Sequence, residues 1–192
     1  MNIKKIANSI LLFTINRLVE ILGFAVLSIG IFFLIALISY SPDDPNFIFP
    51  ENTVIKNLLG FQGSYISDLL FQSVGLISYL ISFTFIFTGI NIFRSKDLFL
   101  VIENIFFMIL YCIFGSLFFS FFYEKAYMLH INGNGGFIGN YLNESFIHNL
   151  INLNTFITYY FLIFLIIGLF LISINFRPKK FWNYFKKIIN FI

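Results

Sequence analysis

Charge is what this chain lacks most. Of its 192 residues, 11% are Asp, Glu, Lys or Arg, against 59% hydrophobic, and the mean hydropathy is +0.89. A soluble globular domain carries roughly a quarter charged residues to keep its surface wet. Less than half that share cannot cover the chain in water, so a bilayer is the natural solvent. The only cysteine, Cys112, excludes an intramolecular disulfide and a cysteine-rich metal site. The two histidines, His130 and His148, lie far apart without ligand-like spacing, and each reads as a solvated loop residue. No G-x-x-x-x-G-K run occurs, so no P-loop cradles a phosphate here. Neither a cofactor nor a metal is expected.

What is abundant is long apolar sequence. Crossing about 30 Å of hydrocarbon takes about 20 helical residues. Four segments meet that length: 21–40, 69–93, 104–123 and 155–176. Backbone groups in lipid must be paired within the segment, which makes these helices. The fold class is therefore all-α, a polytopic membrane protein of four spans. Residues 1–176 form the membrane domain, with long loops at 41–68 and 124–154.

The basic residues set the orientation. Lys4, Lys5 and Arg17 precede the first span, Arg94 and Lys96 lie in the link 94–98, and Arg177, Lys179, Lys180, Lys186 and Lys187 follow the fourth. Four crossings put all three regions on one side, leaving the long loops with Lys56 and Lys125. The positive-inside bias then places both termini in the cytoplasm and both long loops outside. Asn8 and Ser9 interrupt the first apolar stretch, and no small-x-small site follows before Arg17, so an uncleaved anchor is expected rather than a signal peptide.

Residues 177–192 form a basic amphipathic tail or the start of a linker. Phe181, Trp182, Phe185, Ile188, Ile189 and Ile192 recur at helical spacing, with Lys179, Lys180, Lys186 and Lys187 opposite them. Such a helix lies in the membrane interface with its lysines on anionic head groups. Amphipathic terminal helices are thus expected on the cytoplasmic side.

Polar residues at membrane depth are the usual pointers to transport or catalysis, and the spans read as almost free of them. Glu103, just before the third span, can reach water or pair with Arg94 or Lys96. Small residues are more informative. Gly75, Ser78, Ser82 and Gly89 fall on one face of the second span, and Cys112, Ser116 and Ser120 repeat every four along the third. In register they allow close helix packing, either within one bundle or between subunits.

The loops carry sharp signals. Ser39 to Phe47 holds Pro42 and Pro45, which stop a helix, and Asp43 and Asp44, which favour water. Asn57 to Asp68 brings Gly60 and Gly63, with Asp68 expected at the boundary of the second span. Gly133 to Gly139, with Gly135 and Gly136, opens the second long loop, and a polar stretch compatible with the interface follows.

In these residues the chain resembles the N-terminal membrane domain of the FtsK/SpoIIIE family of bacterial DNA translocases. The segment Ser39 to Pro45 is similar to the family's S-x-x-P-x-D-P-like end of the first helix. Asn57, Gly60, Gly63, Ser64 and Asp68 match an N-x-G-G-x-x-G-a-x-x-a-D-like stretch, and Gly135 to Gly139 a G-G-x-x-G loop. Leu59 and Gln62 depart from it, where the family often has glycine and proline. The resemblance implies an anchor and assembly domain at the division septum of the inner membrane, contacting other division proteins and homo-oligomeric, as a hexamer. DNA would be handled only by a cytoplasmic motor absent from this sequence. Pro42, Asp43, Asp44, Pro45, Gly60, Gly63, Asp68, Gly135 and Gly136 would then shape the interaction surface, or simply terminate helices. The rival reading is a small oligomeric channel or transporter subunit. No nucleophile–base pair points to an enzyme.

Overall fold

The computed structural model describes residues 3–45, 54–124, 129 and 131–178. Helix α1 runs over Ile3–Ile38, α2 over Gly60–Val74 and α3 over Ser78–Ser95, with a single 3-10 turn at Gly75–Ile77 between the last two. Then come α4 (Phe99–Phe122), α5 (Gly136–Asn143), α6 (Ile147–Leu153) and α7 (Thr155–Ser173). Every element among the described residues is helical. Four stretches are long and apolar enough to cross a membrane: Asn8–Ile38, Gly60–Ser95, Phe99–Phe122 and Thr155–Ser173.

Local chemistry sets the ends. At the foot of α3, Lys96 adopts the left-handed conformation (φ 58°) and its N–H returns to the carbonyl of Ile92. Asp97 Oδ1 then accepts the N–H of Phe99, which starts α4 after a link of three residues. Asn154 caps α7, its Oδ1 accepting from the N–H of Ile157 at 3.1 Å.

Two tight seams hold the bundle. Between α1 and α3 the backbones nearly touch. A Cβ on Gly89 would come 2.5 Å from the amide nitrogen of Leu27, and one on Gly30 would come 2.6 Å from that of Ile86. Small residues allow this approach, and dispersion over a close seam supplies attraction that lipid cannot. Ser82 and Ser78 continue the face of Gly89 by helical spacing and are fully buried. The second seam joins α4 to α7, where Tyr111, Cys112 and Phe118 pack with Leu162 and Ile166. Cys112 is a packing residue.

The structure corrects the view of a bare apolar interior. Thr84 Oγ1 lies 2.8 Å from Tyr111 OH and 3.1 Å from Ser173 Oγ. One turn further along α3, Thr88 Oγ1 accepts from Asn104 Nδ2 at 2.7 Å, and Asn104 Oδ1 accepts from Asn175 Nδ2 at 2.7 Å. Asn91 Nδ2 reaches the carbonyl of Ile174. These side chains tie α3, α4 and α7 together, each satisfying another's polarity away from water. Thr84, Thr88 and Asn91 recur at i, i+4 and i+7, the signal by which the network could have been found.

The charged residues decide between the alternatives open for Glu103. Glu103 is exposed and makes no ion pair with Arg94 or Lys96. Lys96 instead meets Glu20, which also binds Arg17, so the α3–α4 link is fastened to α1. Opposite, Asn57 binds the carbonyl of Ala36 near the other end of α1. Both long loops therefore gather at one end of the bundle and the basic link at the other, the arrangement that four crossings require.

The helices differ from the expected spans in instructive ways. α1 continues back to Ile3 as one helix, passing the pairing level of Glu20 and Lys96. The second span begins at Gly60 rather than near Leu69 and is broken at Gly75. Asp68 is therefore inside α2 and buried, not at a boundary.

Candidate interaction surface at the loop-bearing end

The turn from α1 to α2 is built around one carboxylate. Asp44 is 1% exposed, and its two oxygens accept the backbone N–H groups of Lys56 at 2.8 Å and Asn57 at 2.9 Å. Hydrogen bonds to a charged acceptor are stronger than neutral ones, and here they join segments far apart in the chain. Asn57 extends the brace. Its Nδ2 donates to the carbonyl of Ala36, and its Oδ1 accepts the N–H of Leu59. Ser39 Oγ accepts the N–H of Leu58, and Ser64 Oγ donates to the carbonyl of Pro45.

This explains the glycine at 63. A Cβ there would stand 2.1 Å from Asn57 Oδ1, so any side chain displaces the residue that bridges the turn to α1. Gly60 is the other case, with φ +64° at the first residue of α2 and open space around it, so backbone conformation alone favours glycine. Leu59 sits at φ −96°, a conformation that needs no glycine.

Below this turn, Tyr40 OH donates to Asp68 Oδ1 at 3.3 Å and Gln72 Nε2 to the same oxygen at 3.4 Å. Burial first, then the Asp68 and Asp44 charges, push the Tyr40 phenol well above its ordinary range. It stays a donor at any physiological pH. The rings of Tyr40, Phe71 and Tyr79 follow edge to face at 4.9 and 5.6 Å.

The second loop docks on the break in the second span. The N–H of Leu76 donates to the carbonyl of Asn134 at 2.9 Å, and a Cβ on Gly75 (φ +70°) would fall 1.9 Å from that oxygen. Gly75 is therefore the receptor for the loop rather than a helix-packing residue. Gly135 and Gly139 lie against the carbonyl of Ser116, where a Cβ would come within 2.5 and 2.3 Å. Ser116 Oγ donates to the carbonyl of Val74, and Ser120 Oγ to Asn140 Oδ1. The small face of α4 thus takes α5 of the same chain.

Of the residues singled out from sequence, Asp44, Pro45, Gly63, Asp68, Gly135 and Gly136 are buried. Pro42 and Gly60 are half-buried, and Asp43 alone is exposed, paired with Lys56 at 2.8 Å. The buried ones cannot touch a partner. Around them Val54, Leu58 and Phe61 are exposed, as are both members of the Asp43–Lys56 pair, and of these the sequence singles out Asp43 alone. Leu58 is 77% exposed although its own N–H is pinned by Ser39. Among the described residues no three His, Cys, Asp or Glu side chains converge. His148 is occupied by Asn143 Oδ1 at 2.9 Å. His130 and the lysines at 179, 180, 186 and 187 lie outside the described residues.

Comparison with known proteins adds the family. The model of the "4TM region of DNA translocase FtsK/SpoIIIE" matches residues 16–184. A DNA translocase FtsK of Rickettsia prowazekii is 31% identical over 181 residues, covering 91% of this chain and 24% of that protein. That of Rickettsia typhi is 33% identical over 89 residues, 45% of this chain and 12% of the relative. In Azospirillum brasilense a further DNA translocase FtsK is 36% identical over 72 residues, 36% of this chain and 11% of the relative. This chain thus spans at most 24% of the length of these relatives. No solved structure matches. The two braced loops, the broken second span and the four apolar crossings are those of a multi-pass membrane domain, and the chain belongs to the FtsK/SpoIIIE family of DNA translocases, whose four-helix membrane region it represents.

Proposed function

We propose that this domain anchors a bacterial cell-division DNA translocase in the inner membrane and takes part in assembling the septum. The observation that carries the reading is the Asp44–Asn57 brace. It invests several buried polar groups in fixing one small surface, which an anchor alone does not require. That surface, Val54, Leu58, Phe61 and the Asp43–Lys56 pair, would meet other division proteins. Both termini would lie in the cytoplasm, with Lys179, Lys180, Lys186 and Lys187 on anionic lipid and the chain continuing toward a motor that handles DNA. Homo-oligomerisation, with six copies as the family implies, would match the geometry of such a motor.

A transport pathway is less well supported. Polar groups lining a route must face water. Thr84, Thr88, Asn104 and Ser173 are at most 4% exposed and bind one another. A fluorescent fusion of the chain in dividing cells is expected to concentrate at midcell. Uniform labelling of the membrane through the division cycle would refute the septal role.

A further inference from the structure

We propose that the segment from Phe137 to Leu153 lies in the lipid interface at the loop-bearing end, so that α5 and α6 form a membrane-surface element rather than a loop in water. Three independent observations converge on this placement.

The first is length. α7 has 19 residues, which at 1.5 Å each is about 28 Å, close to the roughly 30 Å of hydrocarbon it must cross. It has no turn to spare above the membrane. Asn154 therefore sits at the hydrocarbon edge, and α6 leaves directly from it.

The second is level. The ring of His148 in α6 stands 5.2 Å from that of Phe121, in the last turn of α4. Nearby, Tyr123 OH and Tyr159 OH meet at 2.8 Å, joining the ends of the two spanning helices. Tyrosines concentrate at this depth because the ring is apolar and the hydroxyl wet. α6 thus lies beside the last turns of helices that cross the bilayer.

The third is the exposed surface. Phe137 and Tyr141 on α5, and Phe146, Leu150 and Leu153 at α6, are all between 55% and 81% exposed. They adjoin Phe156 and Ile157, 70% and 62% exposed, on the lipid-facing side of α7. Between 131 and 154 the only Asp, Glu, Lys or Arg is Glu144. An apolar surface of this kind, flanked by the exposed Asn149 and Asn152 and continuous in sequence with one already in lipid, is suited to the head group–acyl boundary. Ile151 is buried, and Gly139 against Ser116 holds the element down.

The test uses the full chain in phosphatidylcholine–phosphatidylglycerol vesicles. Nitroxide labels are placed on single cysteines replacing Phe146, Leu150 or Leu153 in a Cys112→Ala background. Collisions with oxygen should exceed those with a water-soluble nickel chelate several-fold, as for a label at Phe156, whereas a label at Val54 shows the reverse. Preferential nickel access at the three positions would overturn the proposal. Low access to both reagents would mean protein covers the surface, and would overturn it equally. Phe146→Trp in a Trp182→Phe chain gives a gentler check: brominated lipids should quench its fluorescence, and absence of quenching counts against the proposal.

Discussion

The Asp44 carboxylate holds the backbone N–H of Asn57 at 2.9 Å, and Asn57 in turn holds the carbonyl of Ala36 at 2.9 Å. Through that pair the last turns of α1 fix the path by which the chain enters α2.

Removing this acceptor should be costly. Each buried amide left without a partner loses about 1–3 kcal/mol, and Asp44 serves two. Asp44→Ala is expected to lower stability by about 2–6 kcal/mol, read as a clear fall in the thermal midpoint in detergent. The neighbouring Asp43–Lys56 pair is solvated on both sides, with side chains 72% and 61% exposed. Such pairs contribute little. Asp43→Ala and Lys56→Ala should leave the midpoint where it is.

Glycine substitutions separate conformation from space. Gly75→Ala meets both a left-handed φ and a carbonyl oxygen at 1.9 Å, and Gly63→Ala meets Asn57 Oδ1 at 2.1 Å. Overpacking of this kind costs about 1–3 kcal/mol. Both variants should unfold earlier, and limited proteolysis should cut Gly75→Ala within 129–145, where the loop has lost its seat. Gly168 has nothing within 4 Å, so Gly168→Ala is the neutral control.

The polar network makes a coupling prediction. Asn104 bridges Thr88 and Asn175. Hydrogen bonds between membrane helices are worth about 0.6–2 kcal/mol. Asn104→Ala should therefore destabilise the bundle by about 1–2 kcal/mol. In a double-mutant cycle with Thr88→Val the effects should fall short of additive, since one bond cannot be lost twice. Full additivity would contradict the network.

At the α1–α3 seam, Gly89→Leu would drive four carbons into the backbone of Leu27. The expected result is separation of α1. A crosslinker joining cysteines at Glu20 and Lys96, residues that now touch, should lose most of its yield.

Much of this fold was legible because the bilayer imposes lengths: an apolar run either reaches across or it does not. The proline stop after α1 was equally plain. What the sequence could not reveal was which of two adjacent carboxylates turns inward. Asp43 and Asp44 have the same chemistry, and only the amides of Lys56 and Asn57, folded back from beyond the loop, distinguish them. Spacing alone makes Gly75 a packing residue, because it cannot distinguish a small face from a helix break. Asp68 reads as a boundary in sequence because its partner Tyr40 lies 28 positions away, just past the end of α1. The interior network escaped for a similar reason, since Thr and Asn in a span look inert until their partners are placed. For Glu103 the sequence leaves water and pairing with Arg94 or Lys96 open, and α1 decides it by bringing Glu20 to Lys96.

Everything proposed for this chain depends on four crossings that put both long loops on one side and the basic link on the other. Single cysteines replacing Val54 and Asp97 in a Cys112→Ala chain test this directly with a membrane-impermeant maleimide on intact cells whose outer barrier has been opened. The cysteine at Val54 should label at once, and the one at Asp97 only after the inner membrane is permeabilised. Labelling of both from the same side would contradict the topology.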